Sequence, residues 1–311
     1  MFVTGSTRGA AIVQSLFVTF LWSTSWVLIK IGLADVPALT FAGLRYMLAS
    51  LCLLVLVLRP IHLATMRTLP RRDWLRLALF GIVYIAVAQG AQFLALDMLP
   101  AITVGLLLNF IPVVVAFAAI FLLSERPTVL QWAGTALYLL GVFIYFYPHL
   151  LPEGDALALG IVLVCVLANA AAALMGRQIN REKRIHSLVV TAISMGIGAV
   201  ALLGTGAVTQ GLPELSLQNW LIIGWLAVVN TAFAFTVWNH TQRTLTAMES
   251  SILNGTMLVQ IALLAWLFLG ESLTWQGASG MTLVAIATVI VQLRPAKAVG
   301  SRQGSGVRGR W

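Results

Sequence analysis

The chain has 311 residues, of which 60% are hydrophobic and 9% charged, and its formal net charge at pH 7 is +9. A soluble domain carries roughly 25% charged residues, so this composition excludes a soluble globular protein. Apolar runs of about 20 residues match the hydrocarbon layer of a bilayer, where their backbone is satisfied only as helix.

Ten apolar spans are predicted, at residues 11–32, 40–58, 74–95, 101–123, 129–147, 156–176, 187–207, 219–239, 247–269 and 274–293. The first is too long and continuous for an ordinary signal peptide and lacks a clear small-residue cleavage site, so it is expected to stay in the mature chain. It carries Trp22, Ser23, Ser25 and Trp26. The two tryptophans share a face, which reads either as an aromatic wall for a solute or as helix packing through small residues.

Span two contains Arg45, expected to snorkel to water, to pair with Asp35, or to meet a solute. Span three carries Tyr84, Gln89 and Gln92, the last two on one face. In span four Pro112 follows Asn109 and removes the hydrogen bond to the carbonyl of residue 108, so a kink is expected there. Span six holds Asn169 beside Ala170–Ala173, a tight helix contact or a cavity floor. Span eight holds Asn230, Trp238 and Asn239, and span nine holds Asn254, Gly255 and Gln260. Cys52 and Cys165 lie inside spans without metal-ligand spacing and read as packing residues.

The chain also repeats itself. Residues 97–147 and 243–293 run in parallel at an offset of 146, placing Ala101 on Ala247, Leu107 on Leu253, Glu125 on Glu271 and Gly134 on Gly280. The same offset puts Trp74 on Trp220, Tyr84 on Asn230 and Gln92 on Trp238. Each half holds five spans, an odd number, so the second half enters the membrane from the opposite face. The predicted fold is therefore an all-α integral membrane protein, with ten transmembrane helices in a 5+5 inverted-topology repeat. The first repeat covers 1–148 and the second 149–293. Residues 294–311, Gly/Ser-rich and basic, read as a disordered tail.

Charge fixes the orientation. Of the 19 Lys and Arg, 17 fall on the N-terminus, the even-numbered connections and the tail; the exceptions are Lys30 and Arg45. Basic loops stay cytoplasmic, so both termini are expected inside. The positive charge then reports topology and attraction to anionic lipid heads rather than nucleic-acid binding.

The segment "LWSTSWVLIKIGLADVPALTFAGLRYMLASLCLLV" has a Trp/Ser-containing first helix, a Lys near its outer end, a short Pro-containing loop and an Arg early in helix two. It resembles the opening of the drug/metabolite transporter superfamily, in its EamA-type ten-helix branch. The hairpins "LSERPTVLQWAGTALYLLGVFIYF" and "LGESLTWQGASGMTLVAIATVIVQ" resemble that branch's paired Gly-Glu hairpins. The resemblance implies export of small metabolites, often amino acids, by alternating access in a prokaryotic plasma membrane. Two features depart from the pattern: Ser124 replaces the usual Gly before Glu125, and Arg45 faces Thr191 in the repeat alignment, so any role for that Arg is confined to one half.

All ten acids lie at span ends or in loops, which argues against extrusion of lipophilic cations through a buried carboxylate. Glu125 and Glu271, each beside the start of a following helix, are expected to cap orphan amides. No catalytic constellation, cofactor motif or metal-ligand cluster is present in the sequence, so no catalytic residue, cofactor or metal is expected. An intramembrane enzyme is disfavoured; the superfamily resemblance leaves a lipid or lipid-linked sugar flippase as the runner-up.

Amides, hydroxyls and indoles suit a neutral, zwitterionic or aromatic small molecule. The candidate substrate-binding residues are Trp22, Ser23, Tyr84, Gln89, Gln92, Asn109, Asn169, Asn230, Trp238 and Asn254. The expected partners are that solute and the lipid bilayer, not nucleic acid, with the protein a monomer or homodimer.

Green fluorescent protein fused to either terminus should fluoresce, and alkaline phosphatase at the same points should be inactive. Phosphatase activity at one end alone would overturn the span count.

Overall fold

The computed structural model describes residues 7–99, 101–123, 125–147, 156–269, 274–293 and 297–298. Almost all of these are helical. In chain order the helices are α1 (Arg8–Leu33), α2 (Ala38–Val57), α3 (Pro60–Thr68), α4 (Arg71–Met98), α5 (Ala101–Leu108), α6 (Ile111–Leu122), α7 (Val129–Phe146), α8 (Ala156–Arg181), α9 (Ser187–Thr209), α10 (Leu217–Thr241), α11 (Ala247–Gly255), α12 (Met257–Leu269) and α13 (Trp275–Leu293). Eight of them are long and apolar enough to cross a bilayer: α1, α2, α4, α7, α8, α9, α10 and α13.

The two remaining apolar segments, read from sequence as continuous spans at 101–123 and 247–269, are each broken in two. Pro112 sits in the first turn of α6, where its missing N–H costs nothing, and the chain ahead of it leaves the α-helical path at Asn109 and Phe110. The second break falls at Thr256, whose N–H and hydroxyl both turn back to the carbonyl of Leu253, at 3.1 and 2.6 Å. Helix α3 is absent from the sequence expectation: Pro60 starts it inside a basic connection that otherwise reads as loop.

The same offset of 146 that relates the two halves in sequence relates their irregularities. A π-helical segment occupies Ile82–Gln89 of α4, and another occupies Val228–Phe233 of α10. Residues 109–110 and 255–256 bracket the two helix breaks. Packing follows the same relation. Helix α4 lies on α8, and α10 lies on α1; α2 crosses α9, and α7 crosses α13.

The last crossing is close because both sides are glycine. A Cβ on Gly141 would stand 2.8 Å from the Gly280 carbonyl oxygen, and one on Gly280 would stand 2.7 Å from that of Gly141.

The surface is apolar and the interior is partly polar. Phe121, Val129, Val208 and Trp275 are exposed, while Thr19, Gln131, Asn180, Asn230 and Asn239 are buried. That distribution suits lipid on the outside, which offers no hydrogen-bond partner. The packed core still contains large rings, among them Phe41, Tyr46, Phe80, Phe93 and Tyr138.

Lys297 and Ala298 pair antiparallel with Glu125 and Arg126. The rest of the basic tail, together with Glu271 and its expected capping role, lies outside the described residues.

Gly141→Val should lower the melting temperature in detergent, since over-packing costs about 1–3 kcal/mol. Gly224→Ala, in a helix and with nothing within 4 Å of the added Cβ, should hold or raise it; equal melting curves for the two variants would contradict the helix crossing.

Candidate functional site

Two adjoining chambers lie between the halves. The larger, about 200 Å³, sits against both helix breaks and α7, with Asn109, Pro112, Tyr138, Ser251 and Gly255 in its wall. The smaller, about 70 Å³, lies among α1, α2, α4 and α10. Trp26, Gln92, Asn169, Asn254 and Met257 line both, so they form the shared wall.

The larger chamber owes its shape to the breaks. At the first, Asn109 donates from Nδ2 to the Gly105 carbonyl at 2.6 Å and accepts from the Tyr138 hydroxyl. Tyr138 reaches over from α7 because Gly255 faces it; a Cβ there would stand 2.6 Å from Tyr138 Cζ. Lining by Tyr145 and Phe146 carries the chamber towards the C-terminal end of α7.

Aromatic rings dominate the smaller chamber. Phe235 is the hub, with ring centroids 5.1 Å from Trp22, 5.3 Å from Tyr84 and 5.8 Å from Tyr46. The Tyr46 hydroxyl donates to Gln89 Oε1 at 2.7 Å.

Of the sequence candidates, the structure brings together Trp22, Tyr84, Gln89, Gln92, Asn109, Asn169 and Asn254 on these walls. Asn169 donates to the Cys165 carbonyl at 2.9 Å. Gln92 and Asn254, one from each half, make no side-chain hydrogen bond to a described residue, and Asn254 Oδ1 is buried without a partner.

Ser23, Asn230 and Trp238 are placed elsewhere. Ser23 donates to Thr19 O at 2.8 Å and Gln260 Oε1 at 3.0 Å, tying α1 to α12. Asn230 clamps α10 to α1: its Nδ2 donates to the Leu21 carbonyl, and its backbone carbonyl accepts from Trp22 Nε1 at 3.0 Å. Trp238 packs behind Trp22, centroids 5.1 Å apart.

Sequence reasoning missed Tyr46, Tyr138 and Phe235, which look like ordinary core aromatics; their partners across the fold make them wall residues. Arg45 neither snorkels nor pairs with Asp35. It is 3% exposed and lines the smaller chamber, while Asp35 Oδ2 accepts from Asn219 at 3.4 Å.

At the end of the bundle where α1 begins, charged groups join the halves. Glu125 accepts from Arg177 Nε at 2.9 Å and from the Ala247 N–H at 3.1 Å. The carboxylate thus caps α11 in the other half, whereas its own neighbour α7 is capped by Thr128. Glu249 pairs with Arg8 at 2.9 Å and receives Gln131 Nε2 at 3.5 Å. Arg181 adds a bond to the Leu123 carbonyl at 2.9 Å. Nearby, burial, followed by the adjacent His62, Arg243 and His240, holds the His186 imidazole below its usual range; Nδ1 accepts from the Leu188 N–H at 3.2 Å as the cap of α9.

A third hollow of about 620 Å³, between α4, α8 and α9, is walled mostly by Leu, Ala, Val and Gly, and it shares no lining residue with the two chambers. Among the described residues no group of three or more His, Cys, Asp and Glu side chains is placed to hold a metal.

The sequence model of the EamA-like transporter family matches this chain twice, at residues 9–147 and 156–293. An uncharacterised transporter of Bacillus subtilis, YoaV, is 25% identical over 86% of this chain and 91% of its own length. A probable amino-acid metabolite efflux pump of Salmonella typhimurium is 26% identical over 87% of this chain and 90% of its own. An S-adenosylmethionine/S-adenosylhomocysteine transporter of Chlamydia trachomatis is 26% identical, covering 81% and 80%. One solved crystal structure superposes on 92% of this chain and 98% of its own, with a TM-score of 0.75 at 19% identity, which establishes likeness of fold.

Asn230→Ala should lower the melting temperature in detergent, by roughly 1 kcal/mol or less in stability, while Gln92→Ala should leave it unchanged. The reverse order would exchange clamp and wall.

Proposed function

The chain belongs to the EamA-like transporter family, and from that premise we propose that it is a secondary transporter exporting amino acids or related neutral and zwitterionic solutes across the plasma membrane. The two matched segments act as five-helix repeats of opposite orientation, ten transmembrane helices in all. The broken pairs α5–α6 and α11–α12 serve as the fourth and ninth, and both termini are cytoplasmic. Residues 294–311 form the tail.

The observation that carries the reading is the shared wall: Gln92 from one half and Asn254 from the other meet both chambers with side-chain amides that bond to no described residue. An unpaired amide in hydrocarbon costs several kcal/mol, so these groups are suited to a solute or to water.

Alternating access then has a physical basis. The bonds of Glu125 and Glu249 close the end where α1 begins. The larger chamber reaches towards the opposite end along α7. This arrangement fits an outward-facing state in which the cytoplasmic side is sealed. Opening that side requires Arg177 and Ala247 to leave Glu125, and Arg8 to leave Glu249, as the halves rock.

Two relatives support an amino-acid-like cargo: one is named for amino-acid metabolites and the other for a sulfonium amino acid and its thioether. Separation of the apolar side groove from the polar chambers favours a small solute over a lipid.

Purified protein in proteoliposomes should move at least one member of an amino-acid and metabolite panel, and assays with and without a pH gradient identify proton coupling. Gln92→Ala and Asn254→Ala should each cut flux about tenfold, the scale of a lost hydrogen bond to a charged group, at unchanged protein content. Full flux in both variants would remove the shared wall from the transport path.

A further inference from the structure

Arg45 is a buried cation with no counter-ion among the described residues. It is 3% exposed and lies on α2, facing the smaller chamber. Its Nε donates to Thr231 Oγ1 at 2.7 Å, and its guanidinium carbon sits 5.4 Å from the Tyr46 ring centroid. No carboxylate of the described residues pairs with it, and neither Nη atom donates a hydrogen bond to one of them.

Two other partly buried guanidinium groups have a carboxylate, and a third, Arg243, donates to the Ile185 carbonyl. Arg177 has Glu125 and the Gln242 carbonyl at 2.9 and 2.7 Å, and Arg8 has Glu249 at 2.9 Å. Thr231 is in no position to neutralise Arg45 either, since its hydroxyl donates onward to the Leu226 carbonyl at 2.8 Å.

Burying an ion costs several kcal/mol unless a partner charge and full hydrogen bonding offset it. One neutral hydroxyl and one ring face offset part of that. The remaining donors form the edge of a planar fork, a shape that matches the two oxygens of a carboxylate. Across the same chamber lies Asn254, whose Oδ1 is a buried acceptor with no partner.

We propose that Arg45 binds the carboxylate of the transported solute and that Asn254 Oδ1 accepts from its amino group. This deepens, and rests on, the carrier reading above. The 70 Å³ chamber then holds the charged head group. The solute's side chain passes the shared wall into the 200 Å³ chamber, where Leu108, Ile111, Leu258 and Ile261 provide an apolar lining. Selection rests on the head group, and side-chain choice on the larger space. Because Thr191 occupies the position matching Arg45 in the second half, the site has one carboxylate anchor rather than two.

The test uses the full chain in proteoliposomes with three acid–amide pairs: L-threonine, L-leucine and L-phenylalanine, each against its carboxamide. Wild type should transport at least one acid about tenfold faster than its amide, the scale of one charge-assisted bond. In Arg45→Gln that ratio should fall to about one, and Arg45→Lys should restore part of it, a point charge replacing a fork.

Equal wild-type flux for acid and amide overturns the assignment of Arg45 and leaves the carrier reading standing. So does a ratio that survives in Arg45→Gln. No flux of any of the six compounds overturns the amino-acid reading and this inference with it. Should Arg45→Gln fail to give monodisperse protein, the wild-type acid-to-amide ratio decides alone.

Discussion

Every polar group in this protein answers to one constraint: lipid offers no hydrogen bond. A side chain that carries a donor or acceptor must find a partner inside the bundle or stand beside a space that holds one. Two groups of side chains illustrate the alternatives. Asn180, Asn239 and Thr191 are linked in a buried chain, with Asn180 Nδ2 donating to Asn239 Oδ1 at 2.9 Å and Asn239 Nδ2 to Thr191 Oγ1 at 3.1 Å. Gln92, Asn254 and the Nη atoms of Arg45 do not find described partners, and they gather on the two chambers. The first group holds helices together; the second is the reason to look for a ligand where it lies.

The same constraint explains the irregular backbone. A π-helical turn or a helix break frees carbonyls that must be satisfied locally, which makes it costly away from polar neighbours. Here three of the four irregularities carry a side-chain repair. Thr231 returns its hydroxyl to the Leu226 carbonyl within the π segment of α10. Asn109 returns its amide to the Gly105 carbonyl at one break, and Thr256 returns its hydroxyl to Leu253 at the other. These repairs place polar side chains at mid-helix, and Asn109 thereby enters the wall of the larger chamber.

Much of this architecture was legible because hydrophobic run length and the internal offset are strong signals. The limits of the long helices came within a few residues, and Pro112 marked the first break. The second break has no proline; only its position, 146 residues after the first, points to it. The π segments left no compositional trace, being backbone events among ordinary Val, Ile and Ala. Side-chain roles were harder. Asn230 was expected to face a cavity because its repeat partner is Tyr84, yet an amide in a membrane helix is equally served by a neighbouring carbonyl, here that of Leu21. From sequence, Arg45 stays open between snorkelling, pairing with Asp35 and meeting a solute. Depth does not reveal that Thr231 and Tyr46, distant from it or adjacent in sequence, hold the guanidinium inside.

The halves are similar where helices brace one another and different along the walls of the smaller chamber. Gly134 and Gly280 correspond, as do the π segments and the two breaks, and these shared features set helix crossings and bends. Arg45 against Thr191, Tyr84 against Asn230 and Gln92 against Trp238 are the unlike pairs. In each pair the first-half residue lines the smaller chamber, and the second-half residue is spent on packing or on protein hydrogen bonds. A strictly symmetric bundle would present the same groups twice and could not tell one end of a solute from the other. Divergence at these three positions gives the chamber a cationic, aromatic side set by the first half, while Asn169 and Asn254 supply amides from the second. The repeated features thus set the frame, and the departures from them set the polarity that a solute with unlike ends would meet in the proposed site.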